Sequence, residues 1–242
     1  MLFQEKYYPS SQCMEGCLVG FEEDLWHRRV DFSLRGRENH VSIDYDLEKT
    51  AIILIGYQND YFSSDGLLQG ALEDVEGRIK MLAQTETLLE GLKATPALII
   101  STPIVFTPDY RELLEPTGIL EVIKDVGAFR EGEKGSETIP ELRHYGERIL
   151  EVPGKRGLNA FSNTELEQKL QERNIVDVVI AGVVTSICID STGRAAHERG
   201  YRVSILGDCT AGRSAFEQDF YLEKIFPLYA HVVGSGALLG AG

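Results

Sequence analysis

The sequence predicts a doubly wound α/β fold: a mostly parallel sheet with helices on both faces. Two observations carry this. From residue 50 to the C-terminus, short apolar runs alternate with stretches that read as helices, the pattern of successive βαβ units. The runs themselves, such as Ile52-Ile53-Leu54-Ile55 and Val178-Val179-Ile180-Ala181, are apolar without alternation, as strands covered on both faces are. A length of 242 residues suits one large domain, and the chain has no internal repeat or low-complexity tract. The expected division is an N-terminal extension, 1–47, and one domain, 48–242.

The extension has no clean periodicity. Aromatics (Phe3, Tyr7, Tyr8, Phe21, Trp26) mix with charges (Glu22, Glu23, Arg28, Arg29), which leaves open an arm packed on the domain, an arm packed on a partner subunit, or a loosely ordered tail. The first predicted strand is Thr50–Gly56, followed by the polar loop Tyr57-Gln58-Asn59-Asp60-Tyr61-Phe62. A helix is expected from about Leu72 to Leu92, with Val75, Ile79, Leu82 and Leu89 at helical spacing. Ala97–Ile100 reads as a strand and Ile119–Lys124 as a short helix within an irregular stretch from Pro108 to Glu147. Ile149–Val152 is a short strand ending at Pro153-Gly154-Lys155, and Asn163 or Thr164 is placed to cap a helix over Glu165–Glu172. After Val178–Ala181, Gly182 ends the run and a proline-free stretch through Arg199 reads as a helix. Tyr201–Leu206 is a strand, Gly207–Thr210 a loop, Ala215–Phe226 a helix and Ala230–Val233 the last strand.

Composition excludes several functions. A formal charge of −14 argues against nucleic acid, whose phosphates require clustered Lys and Arg. No apolar run is long enough to span a bilayer and the first thirty residues carry no signal-peptide core, so a cytoplasmic protein without a membrane partner is expected. Cys13 and Cys17 have no second ligand pair nearby, and His27, His40, His144, His197 and His231 have no ligand spacing. No GxGxxG, P-loop or GxSxG is present. Neither a metal nor a cofactor is expected; the partner is a small-molecule substrate.

The chemistry centres on Cys188, within the first turns of the helix after the central strand. Ligands collect beyond the C-terminal ends of parallel strands, and a helix N-terminus favours thiolate over thiol. The stretch alone leaves two readings open, nucleophile and buried apolar filler. Lys155 also follows a strand, as does the Gln58–Asp60 loop, so the three strand ends converge on one edge. A cation there would hold Cys188 as thiolate and stabilise developing negative charge.

Four blocks together resemble the isochorismatase-like cysteine hydrolase family: Ile52 to Phe62; Lys155-Arg156-Gly157-Leu158-Asn159-Ala160-Phe161; Ala181 to Cys188; and Gly200-Tyr201-Arg202-Val203 with Asp208-Cys209. The resemblance covers residues from about 50 onward. It implies a six-stranded parallel sheet and hydrolysis of a C–N bond in a small amide- or ureide-type substrate by a cysteine nucleophile. It places Lys155 and Cys188 as catalytic residues, the N–H groups of Val184 and Cys188 as an oxyanion hole, and a cis Val183–Val184 peptide. It also implies a homo-oligomer, a dimer or tetramer.

One position departs from the pattern. Where the family carries its catalytic aspartate, this chain has Gly56. Three readings follow: Asp60 reaches the site instead; Lys155 and the helix end hold the thiolate without an aspartate; or the chain is a degenerate relative that binds a small molecule or serves in assembly. The segment after the second strand, Phe106-Thr107-Pro108-Asp109-Tyr110, lacks the histidines of the family's metal-binding, nicotinamidase-like branch. The retained Cys188 separates it from members that cleave vinyl ethers by acid catalysis.

Overall fold

The computed structural model of the protein describes residues 43–240. Most of the predicted 1–47 extension, with Cys13, Cys17, His27 and His40, lies outside the described residues. In chain order the elements are β1 (Thr50–Ile55), α1 (Asn59–Phe62), α2 (Val75–Leu92), β2 (Leu98–Ser101), α3 (Ile119–Val126), α4 (Pro140–Arg143), β3 (Leu150–Glu151), α5 (Leu166–Glu172), β4 (Asp177–Val183), α6 (Asp190–Glu198), β5 (Arg202–Ala211), α7 (Ala215–Phe220), β6 (His231–Val233) and α8 (Gly236–Leu239). The six strands form one sheet in the order β3-β2-β1-β4-β5-β6, and every pairing is parallel.

All six residues of β1 and all seven of β4 are buried, as their unbroken apolar runs require. Their side chains alternate between two cores. Ile52, Leu54, Val179 and Ala181 join α2 residues such as Leu88, Leu89 and Leu92 on one face. Ile53, Ile55, Val178 and Ile180 join Leu166, Leu170, Ala195 and Phe226 on the other. The strand order reverses between β1 and β4, and the crevice beyond their C-terminal ends is where this architecture places a ligand.

The structure shifts several predicted elements. Helix α2 begins at Val75, capped by Asp74, whose side chain accepts from the Gly77 N–H. Its buried positions are Met81, Thr85, Leu88, Leu89 and Leu92, whereas Val75 and Ile79 are exposed. The apolar residues near its start fit a helical stripe in sequence, but the helix buries side chains only from Met81 onward. Neither Asn163 nor Thr164 is the residue before α5; that is Glu165, without a side-chain cap, although Thr164 Oγ1 accepts from the Leu166 N–H at 3.3 Å. The helix predicted over Ala215–Phe226 is regular only to Phe220 and then widens and tightens through Leu228.

The largest difference is β5. Gly207–Thr210, expected as a loop, belongs to a ten-residue strand. Its register on β4 jumps from Ile180↔Ile205 to Gly182↔Thr210, so extra β5 residues bulge out before the strands rejoin. The rejoined pairs, Gly182↔Thr210 and Val183↔Ala211, carry β4 one residue past the glycine that was expected to end it.

At the opposite end of the sheet, the buried Asp177 carboxylate is gripped by the Arg202 guanidinium, Nη2 donating to Oδ2 at 2.7 Å and Nε to Oδ1. Arg202→Met strands that carboxylate in the core, and the expected loss is about 3 kcal/mol, measurable as a lower urea midpoint at unchanged slope.

Candidate active site

Three strand ends bring the site together. After β3, Gly154 adopts φ +104° and turns the chain so that Lys155 runs beside Ile104, with the Val105 N–H donating to the Lys155 carbonyl at 3.3 Å. Lys155 is only 1% exposed. Its Nζ donates to Cys188 Sγ at 3.5 Å. No Asp or Glu among the described residues forms an ion pair with it. The next residue, Arg156, pairs with Glu112, whose carboxylate also accepts from Thr107 N and Oγ1, fastening the Lys155 segment to the loop after β2.

Cys188 lies in a wide π-helical turn, Thr185–Ile189, that leads into α6. The Ile189 N–H reaches back five residues to the Val184 carbonyl at 3.3 Å. Such insertions recur at functional sites. Thr185 Oγ1 donates to Gln218 Oε1 at 2.6 Å, and Gln218 Nε2 donates to Thr210 at the end of β5, so α7 and β5 brace the turn. The Val183–Val184 peptide is cis. Cys188 is 7% exposed, whereas the other described cysteine, Cys209, is fully buried. Burial, with the nearby Asp208 charge, pushes the Cys209 thiol up to about 12, which leaves it a packing residue.

The polar loop after β1 is structural. Gln58 Nε2 donates to the carbonyls of Ile104 and Ser136 at 2.9 and 2.7 Å, and its Oε1 accepts from the Ile104 N–H at 3.0 Å. One side chain thereby joins three segments. Asp60 does not turn to Cys188: its carboxylate accepts from the backbone N–H groups of Phe129 and Leu67 at 2.6 and 3.2 Å. It lines a cavity of about 330 Å³ with Asp65, Leu67, Arg130 and Lys134, and neither Lys155 nor Cys188 lines that cavity.

Gly56 is more than a missing side chain. Its φ is +77°, and a Cβ there would lie 2.6 Å from the Val183 carbonyl oxygen and 2.8 Å from Val183 Cγ2. Gly182 has the same kind of constraint: φ is +123° and a Cβ would collide with the Ile55 backbone. The β1 and β4 ends therefore approach each other through two glycines.

Two hydroxyls went unremarked in the sequence. Thr102 is fully buried at the end of β2, and its Oγ1 has no hydrogen-bond partner among the described residues. Nothing in Thr102-Pro103 flags it, because the signal lies in the chain's continuation alongside β1, where the Thr102 N–H donates to the Leu54 carbonyl at 3.0 Å. Tyr61 is also buried, its ring 5.1 Å from that of Phe129. Burial first, then the charges of Cys188 and Asp60, raises its phenol well above the usual range, so Tyr61 stays protonated.

Comparison with known proteins shows the family and the fold. The family model described as the isochorismatase domain matches residues 50–236. The isochorismatase family protein YddQ of Bacillus subtilis is 27% identical over 192 residues, covering 79% of this chain and 92% of YddQ. The ureidoacrylate amidohydrolase RutB of Methylorubrum extorquens is 26% identical over 190 residues, covering 73% of this chain and 76% of RutB. The crystal structure of a cysteine hydrolase from Pseudomonas syringae superposes with a TM-score of 0.70 at 20% identity, over 82% of this chain and 94% of that one. With its six parallel strands and a family match over most of its length, the chain belongs to the isochorismatase family of hydrolases.

Proposed function

We propose that this protein hydrolyses a C–N bond of a small amide- or ureide-type substrate through the thiolate of Cys188. The single observation that carries the reading is the buried contact between Lys155 Nζ and Cys188 Sγ. An ammonium at that distance stabilises negative charge on sulfur and on the tetrahedral intermediate. The N–H groups of Val184 and Cys188 serve as the oxyanion hole in this reading, being at the start of a helical turn, where N–H groups lack the usual helical partners. The likeness to an amidohydrolase supports a C–N bond as the target. The protein acts in the cytoplasm and as a homo-oligomer in this reading; among the described residues no helix is long and apolar enough to cross a membrane.

Gly56 favours a second reading, a degenerate relative that binds a small molecule without turning it over. Ammonia release from a panel of primary amides and ureides separates the two. The leading reading expects at least one substrate whose turnover disappears in Cys188→Ala. Turnover that survives in that variant contradicts it, and saturable binding without turnover across the panel selects the second.

The polar loop makes its own prediction. Gln58→Ala leaves the buried Ile104 N–H and carbonyl and the Ser136 carbonyl without their partner, at about 1–3 kcal/mol for an orphaned group. The expected result is a loss of at least about 2 kcal/mol in urea unfolding.

A further inference from the structure

We propose that Lys155 is the proton carrier of this site, giving a proton to the departing nitrogen and then taking one from the hydrolytic water. The inference rests on the reading of Cys188 as nucleophile and assigns the step that the absent aspartate leaves open.

Four observations converge on Lys155. It is the one side chain among the described residues whose exchangeable protons lie within hydrogen-bond distance of Cys188 Sγ. Position 56 cannot supply a carboxylate, because its backbone excludes even a Cβ. Asp60 is occupied by two backbone N–H groups. Tyr61 is held in its protonated form by its surroundings, so it can donate a hydrogen bond but is a poor acceptor of a proton.

Burial then couples the proton to the chemistry. An ammonium taken out of water is costly unless an opposite charge accompanies it, and the sulfur is the partner Lys155 has among the described residues. While Cys188 is a thiolate, the pair is neutral overall. Attack forms an S–C bond, and the carbonyl π pair moves onto oxygen. As the intermediate collapses, the C–N bond breaks and its electron pair goes to nitrogen, which takes a proton from Lys155 Nζ; an amine leaves and a thioester remains. The sulfur is now uncharged, and the lysine, having given up its proton, is neutral as well. Water next attacks the thioester while Nζ takes one of its protons. The C–O bond forms, the C–S bond breaks, and the acid product departs from a restored thiolate–ammonium pair. One water is consumed, and no group beyond Lys155 and Cys188 is needed. Lysine fills a comparable place in serine–lysine variants of the triad on unrelated folds.

The test needs no substrate. Capping Cys188 as its methyl disulfide with methyl methanethiosulfonate mimics the uncharged sulfur of the thioester. Side-chain NMR of ¹³C,¹⁵N-lysine-labelled protein, with Lys155 assigned by its absence in Lys155→Arg, reports whether Nζ is an ammonium or an amine. At neutral pH the expected result is an ammonium in the free protein, an amine after capping, and an ammonium again once dithiothreitol removes the cap. Cys188→Ala, which also removes the sulfur charge, is expected to give the amine. An ammonium in both the capped protein and Cys188→Ala would overturn the proposal, as would an amine before capping. If the reagent fails to modify Cys188, the nucleophile reading fails, and the proton-carrier proposal with it.

Discussion

Cys188→Ala is expected to abolish turnover of any amide the protein accepts, by a factor on the order of 10⁶ if removal of a nucleophile here resembles its removal in other covalent hydrolases. Cys188 is 7% exposed and belongs to the core that holds Ile55, Ile180 and Phe226, and its removal leaves Lys155 buried without the sulfur, so a lowered thermal midpoint is expected as well. The kinetic loss is what a catalytic role adds: a Cys188 that was only packing would lower the midpoint and leave the rate unchanged.

Asp60→Ala is the second large effect, and it falls on stability. Removing the carboxylate orphans the Phe129 and Leu67 N–H groups, each of which makes a hydrogen bond to a charged acceptor worth about 1.5–3 kcal/mol. The expected destabilisation is about 3–6 kcal/mol. Asp60→Asn, which keeps one acceptor oxygen, is expected to lose less than Asp60→Ala. If Asp60 were the base for Cys188, Asp60→Asn would instead abolish activity at nearly parental stability. Urea unfolding and turnover measured on the same two variants distinguish these outcomes.

Gly56 also changes meaning once its backbone is known. From sequence it is a lost side chain, and putting aspartate back looks like a repair. With φ at +77° and the Val183 carbonyl in the path of a Cβ, Gly56→Asp is expected to destabilise by about 1–3 kcal/mol from backbone conformation alone.

Much of the scaffold was legible because it rests on local pattern. Fully buried parallel strands need unbroken apolar runs, and Ile52–Ile55 and Val178–Ala181 supply them. Pairing Lys155 with Cys188 was legible because both follow strands of one parallel sheet, and such ends share an edge. What escaped depended on distant partners. The β5 bulge is fixed by where β4 resumes pairing, and the buried face of α2 by how it lies across the sheet. Asp60's role is set by Phe129, 69 residues away in sequence. The hydroxyl of Thr102 becomes notable only once its burial without a partner is seen.

The most direct test of the Lys155–Cys188 pair is the rate of iodoacetamide alkylation at neutral pH, resolved by peptide for Cys188 and Cys209, in the parent and in Lys155→Met. The account predicts rapid alkylation of Cys188 in the parent, a drop of about tenfold or more in the variant, and an inert Cys209 in both. A Cys188 that reacts no faster than Cys209, or that reacts equally fast without Lys155, would contradict it.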